Sequence, residues 1–165
     1  MRLDAGNPGV AVEASGLHVA VAWATFNEPV TGGLRDGALT WLASAGVSDP
    51  TVVAVPGAFE LPLVARALCA THDAVVALGA VILGETDHYE HVAHRASEGL
   101  QRVMLETGTP VAFGVLTVRE PEQALQRAAP GPANKGAEAA EAAVRTALLL
   151  RQIASADTNH VEAAR

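Results

Sequence analysis

The densest run of chemistry-bearing residues is Gly84-Glu85-Thr86-Asp87-His88, which leads from an apolar stretch into a segment of helical pattern. Such a turn presents free backbone N–H groups and the positive end of a helix dipole, a natural anion site. Thr86 adds a hydroxyl donor and His88 a group that titrates near neutral pH, so a phosphate beside a proton-transfer group is one reading. The plainer reading is that Thr86 or Asp87 caps the helix and His88 faces solvent. His91 and His94 follow at three-residue intervals. Without a clear set of carboxylate or thiolate partners they read as solvated histidines rather than metal ligands.

Pro56-Gly57-Ala58-Phe59-Glu60 is the second feature. Gly57 allows a tight turn or close approach of the backbone to a ligand. Phe59 offers a face for a flat ring and Glu60 an acceptor for hydroxyls, against the alternative of a core phenylalanine and a carboxylate that complements a helix dipole. Phe26-Asn27 occupies a matching place earlier in the chain, where Phe26 can stack and Asn27 can orient the loop. Phe113 reads first as a core residue. Arg127 and Lys135, the only lysine, bracket a Pro- and Gly-containing linker. Asn134 can cap the helix that follows, which leaves Lys135 at a helix N-terminus, where a cation is unfavourable unless an anion meets it. Glu138, one turn on, can hold it, and a solvent-facing lysine is the ordinary alternative. Cys69 falls inside a helical pattern and reads as core. There is no G-x-G-x-x-G after the first apolar run, no P-loop and no serine in a nucleophile elbow.

The elements that must position these residues alternate. Apolar runs at Leu17–Ala24, Thr51–Val55, Ala74–Leu83 and Val111–Thr117 read as strands buried on both faces. Helical patterns fall between and after them, at Val30–Gly46, Glu60–Thr71, His88–Glu106, Pro121–Ala128 and Gly136–Ala154. The pattern predicts an α/β fold, a three-layer αβα sandwich around a four-stranded parallel sheet. Ligands bind such sheets beyond the carboxyl ends of the strands, where the loops singled out above fall. Residues 1–16 read as an N-terminal arm, 17–154 as one domain and 155–165 as a polar tail.

At 165 residues, half of them hydrophobic, the chain can bury a core without disulfides or metal. A net charge of −7 argues against a nucleic-acid surface, and one cysteine removes intrachain disulfides and all-cysteine metal cages. No apolar run approaches a membrane span and the N-terminus lacks a signal-peptide pattern, so a soluble, cytoplasmic protein is expected.

Taken in order and spacing, Phe26-Asn27, Pro56-Gly57-Ala58-Phe59-Glu60-Leu61-Pro62, Gly79-Ala80-Val81-Ile82 with Gly84-Glu85-Thr86 and His88-Tyr89, Phe113-Gly114-Val115-Leu116-Thr117 and Asn134-Lys135-Gly136 resemble the 6,7-dimethyl-8-ribityllumazine synthases. The resemblance runs from about Leu17 to Ile153 and implies a flavodoxin-like fold. It also implies condensation of 5-amino-6-(D-ribitylamino)uracil with 3,4-dihydroxy-2-butanone 4-phosphate, the penultimate step of riboflavin biosynthesis, with no metal or organic cofactor. On it, Phe26 stacks on the pyrimidine, Ala58, Phe59 and Glu60 contact the ribityl chain, and Val81 and Ile82 line the slot. Glu85 and Thr86 supply donors to the phosphate, His88 transfers protons and Arg127 clamps the phosphate. Phe113, Arg127 and Lys135 reach the site from a neighbouring subunit, since family sites lie between subunits of a pentamer.

The resemblance also implies an arm that adds a strand to a neighbouring subunit, and leaves room for association with riboflavin synthase. The short Arg127–Lys135 linker resembles that of members forming shells of twelve pentamers. Leu83 stands where the family usually has Arg or Lys, and Gly131 where Lys is common, which thins the positive charge near the phosphate. That loss motivates an alternative, a catalytically weak flavin- or lumazine-binding or shell-forming protein on the same scaffold.

Overall fold

The computed structural model describes residues 11–163. Four strands, β1 (Val19–Ala24), β2 (Thr51–Val55), β3 (Ala74–Ile82) and β4 (Val111–Val118), form one sheet in the order β2-β1-β3-β4, and every pairing is parallel. All of β3 except Ile82 is fully buried, as expected of a strand that reads apolar without alternation. The helices are α1 (Glu28–Ser44), α2 (Leu61–Leu68), α3 (His88–Thr107), α4 (Pro121–Ala128) and α5 (Lys135–Ala163).

The sheet separates two cores. On one face Val19, Val21, Val76 and Leu78 pack against Leu34, Ala38 and Leu42 of α1, Ala124 of α4 and Ala140 and Val144 of α5. On the other, Ala20, Ala22, Val75 and Ala77 pack against Leu61 and Ala65 of α2 and Ala96 and Leu100 of α3. Small residues on the sheet let the helices sit close, consistent with the alanine-rich sequence. The closest approach is between α1 and α5, where a Cβ on Gly136 would collide with the Leu34 carbonyl oxygen.

Element ends follow local chemistry. α1 begins at Glu28, earlier than the expected Val30, because Pro29 is tolerated in a first turn whose N–H groups are unpaired anyway. It stops at Gly46, whose φ of 88° lets Val47 N donate to Leu42 O and Gly46 N to Ala43 O. α2 is shorter than expected and leaves buried Cys69 at its C-terminal end.

The largest departure is α5, which runs on to Ala163 where a polar tail was expected from Ser155. No Gly or Pro interrupts Ser155–Ala163, so nothing in its backbone chemistry ends the helix at Ala154. At the other end, part of the expected arm belongs to the body. Ala14 is buried, its N–H donates to Ala45 O, and Val12 packs on the α1–α5 core. The rest of the arm, with the strand it was expected to add to a neighbour, lies outside the described residues. Among the described residues no helix is long and apolar enough to cross a membrane.

Candidate active site

Beyond the carboxyl ends of β1, β2 and β3 lies a cleft of about 720 Å³. The β1 end supplies Phe26 and Asn27, and the β2 end supplies Pro56, Gly57, Ala58, Phe59 and Glu60. β3 contributes Ala80, Val81 and Ile82, its loop Gly84 and Thr86, and α3 brings His88, Tyr89, His91 and Val92. Eight of the expected site residues therefore meet here: Phe26, Ala58, Phe59, Glu60, Val81, Ile82, Thr86 and His88.

Hydrogen bonds hold the loops in register past the strand ends. Thr25 N donates to Val55 O (2.8 Å) and Phe26 N to Pro56 O (3.1 Å), so the β1–β2 ladder continues into the cleft wall. Asn27 sits in the left-handed region at φ 62°, the one non-glycine residue with positive φ among those described, and its Nδ2 donates to Ala80 O (2.9 Å). Phe26 is 72% exposed and Phe59 58%, which removes the core reading of Phe59. Large apolar rings left open at a cleft mark a candidate ligand surface. Glu60 and Asp87 occupy the residues before α2 and α3, yet neither side chain makes a cap hydrogen bond. Helix capping therefore does not account for Glu60 or Asp87.

The remaining expected residues lie elsewhere. Phe113, Arg127 and Lys135 line a second cleft of about 610 Å³ along β4, the sheet edge, together with Glu138, Glu141 and Arg145. Phe113 is 47% exposed, so its reading as core is corrected: it shares a strand face with Val111 and Val115, but β4 is the sheet edge and leaves it half uncovered. Lys135 Nζ is held by both carboxylate oxygens of Glu138, at 2.7 and 2.9 Å, and Asn134 caps α5 through Gly136 N and Ala137 N. Arg127 donates from Nη1 to Gln123 O and is otherwise exposed on α4. Glu85 is exposed and lines neither cleft.

The sequence alone assigns no site role to Ala80, which it places only in a motif, to His91, which reads as solvated, or to Val92, yet all three line the cleft. Their signal was periodicity: His91 and Val92 fall one helical turn from His88, and Ala80 shares a strand face with Ile82. His94 faces a different groove, on α3 beside β4. Among the described residues no three His, Cys, Asp or Glu side chains converge as metal ligands.

A family model described as 6,7-dimethyl-8-ribityllumazine synthase matches residues 16–151. The chain belongs to the 6,7-dimethyl-8-ribityllumazine synthase family. It is 52% identical over 154 residues to the 6,7-dimethyl-8-ribityllumazine synthase of Mycolicibacterium gilvum, covering 92% of this chain and 97% of that one. Lumazine synthases of Mycobacteroides abscessus (50% over 151 residues, 90% and 94% covered) and Renibacterium salmoninarum (48% over 148, 85% and 93%) are similarly close. The region matched to the lumazine synthase model, residues 16–151, includes the residues that line both clefts.

Proposed function

We propose that this chain condenses 5-amino-6-(D-ribitylamino)uracil with 3,4-dihydroxy-2-butanone 4-phosphate to 6,7-dimethyl-8-ribityllumazine, releasing phosphate and water. The observation that carries the site reading is the convergence of two exposed phenylalanines, an uncapped carboxylate and a histidine on one cleft at the strand ends. Phe26 stacks on the pyrimidine between its loop and the Val81–Ile82 wall. Ala58, Phe59 and Glu60 hold the ribityl chain, Glu60 accepting from its hydroxyls. The Glu85–Thr86 turn takes the phosphate with backbone and hydroxyl donors at the α3 N-terminus.

The chemistry asks for little more. The pyrimidine's 5-amine attacks the ketone carbonyl and one water leaves as the imine forms; phosphate is then eliminated, and the ribitylamine nitrogen closes the ring on the remaining carbonyl with loss of a second water. Each step moves protons, and His88 is the group placed to move them. Holding the two substrates together supplies much of the rate, since effective molarities of about 10⁵ M or more are reached when reacting atoms are well placed. No cofactor is called for.

Phe113, Arg127 and Lys135 complete the site from a second copy, Arg127 clamping the phosphate. Their placement in a separate cleft on the sheet edge supports a homo-oligomer with sites between copies. The family likeness suggests a pentamer, twelve of which build a shell, working in the cytoplasm.

The test is lumazine formation followed optically with purified protein and both substrates against the uncatalysed background. Acceleration that Arg127→Ala abolishes supports synthase and clamp together. No acceleration with lumazine still bound would assign a binding protein, a reading favoured by the exposed, uncharged Leu83 beside the phosphate loop.

A further inference from the structure

Asn27 occupies the position before α1 where an asparagine side chain ordinarily caps the helix, but it makes no cap hydrogen bond. Its amide crosses to β3 and donates to Ala80 O instead. The paired register of β1 with β3 ends at Trp23–Leu78, so Asn27 Nδ2 supplies the rung that β1 is too short to make. That rung ties the Phe26 loop to the strand that carries Val81 and Ile82, the opposite wall of the cleft.

The residue type is doubly determined. A φ of 62° and ψ of 42° suits Gly, Asn or Asp, and strains other side chains. Of those three only Asn has a side-chain donor, which a carbonyl acceptor requires. Aspartate would set acceptor against acceptor, and glycine would leave the Ala80 carbonyl without this partner.

We propose that Asn27 is a positioning residue for the pyrimidine substrate: by bonding Ala80 O it fixes the Phe26 wall against the Val81–Ile82 wall and sets the width of the stacking slot. It acts through Phe26. The proposal rests on the functional reading above for the identity of the ring, while the tether itself does not.

The experiment compares Asn27→Gly, which keeps the backbone conformation and loses the bond, with Asn27→Asp, which also keeps it and reverses the polarity. Both are expected to raise KM for the ribitylaminouracil about tenfold, equivalent to ~1.4 kcal/mol. KM for the phosphate substrate is expected to stay within about twofold, a split that general loosening of the fold would not give. Amide exchange at Thr25 and Phe26 should quicken about tenfold in both variants. An unchanged pyrimidine KM, or equal loss for both substrates, would overturn the positioning role. A wild-type chain that makes no lumazine would sink the functional reading alone. The tether is then judged by lumazine affinity and amide exchange, and variants that match wild type in both would overturn it.

Discussion

His88 opens α3 with its ring exposed on the same cleft as Phe26, Phe59 and Glu60, and among the described residues no acid bonds to it to form a relay. A group used that way tunes proton transfers without being indispensable. His88→Ala is expected to lower kcat by up to about 10²-fold, the low end of general acid–base contributions, with product affinity kept. Initial rates and lumazine titration check this, and unchanged turnover would remove the role. Arg127→Ala is expected to raise KM for the phosphate substrate while leaving lumazine affinity alone; equal weakening of both would count against a phosphate clamp. The cleft residues were legible in the sequence because they follow apolar strands directly, so chain order alone places them at one end of the sheet. The Asn27–Ala80 bond was not legible, since its partners are 53 residues apart and join only through the sheet. Without the family resemblance Phe113 reads as core, because a strand's position at an edge is a property of the sheet order, which local sequence does not carry.

Between elements, Asn134 does more than the cap its sequence position announces. Its Oδ1 accepts from Gly136 N and Ala137 N, while Nδ2 lies 2.8–3.1 Å from the carbonyls of Gly33, Ala128 and Ala129. One buried side chain thus joins α1, the end of α4 and the start of α5. Asn134→Ala is expected to cost roughly 2–4 kcal/mol, a lost cap plus buried carbonyls left unpaired, measured by denaturant unfolding. A loss below that of an ordinary cap would show that water takes its place. The cap was readable from the Asn-Lys-Gly sequence, but the long-range bond to Gly33 was not. A second joint is Asp73, whose carboxylate accepts from His18 N (2.7 Å) and pairs with Arg151 (3.0 Å), pinning the start of β1 to α5. Burial works against the charged form, but the His18 amide and the Arg151 guanidinium outweigh it and hold the carboxyl below its usual range. The folded protein therefore favours ionised Asp73, and that stabilisation is present above about pH 4 and lost as pH falls further. Asp73→Asn is expected to lower stability at pH 7 and to converge with wild type in acid; a constant gap would show that the joint is not ionic.

For the whole molecule, the proposed homo-oligomer would use the two clefts of one chain as complementary halves shared with different neighbours. A heterologous contact of this kind builds a ring where its rotation closes and an open filament where it does not. If sites combine His88 of one copy with Arg127 of another, co-refolding His88→Ala with Arg127→Ala chains should restore roughly a quarter of the sites, as random head-to-tail neighbours require. Rates no higher than the mean of the two parent proteins would place each site within a single chain. That the sheet is parallel and covered by helices on both faces was readable from the alternation of apolar runs and helical patterns; the strand order was not. The extent of α5 was not, because a polar helix without a stop residue looks like a tail.

Lys135, held by Glu138 in the second cleft, is the only lysine in the chain. An acylating dye therefore has one ε-amine to find. In a lone chain that side chain is about one-third exposed; a docked neighbour would cover it. If the proposed ring forms, the rate at which a simple amine reagent consumes Lys135 is a clock for its closure, readable by mass alone and without any substrate.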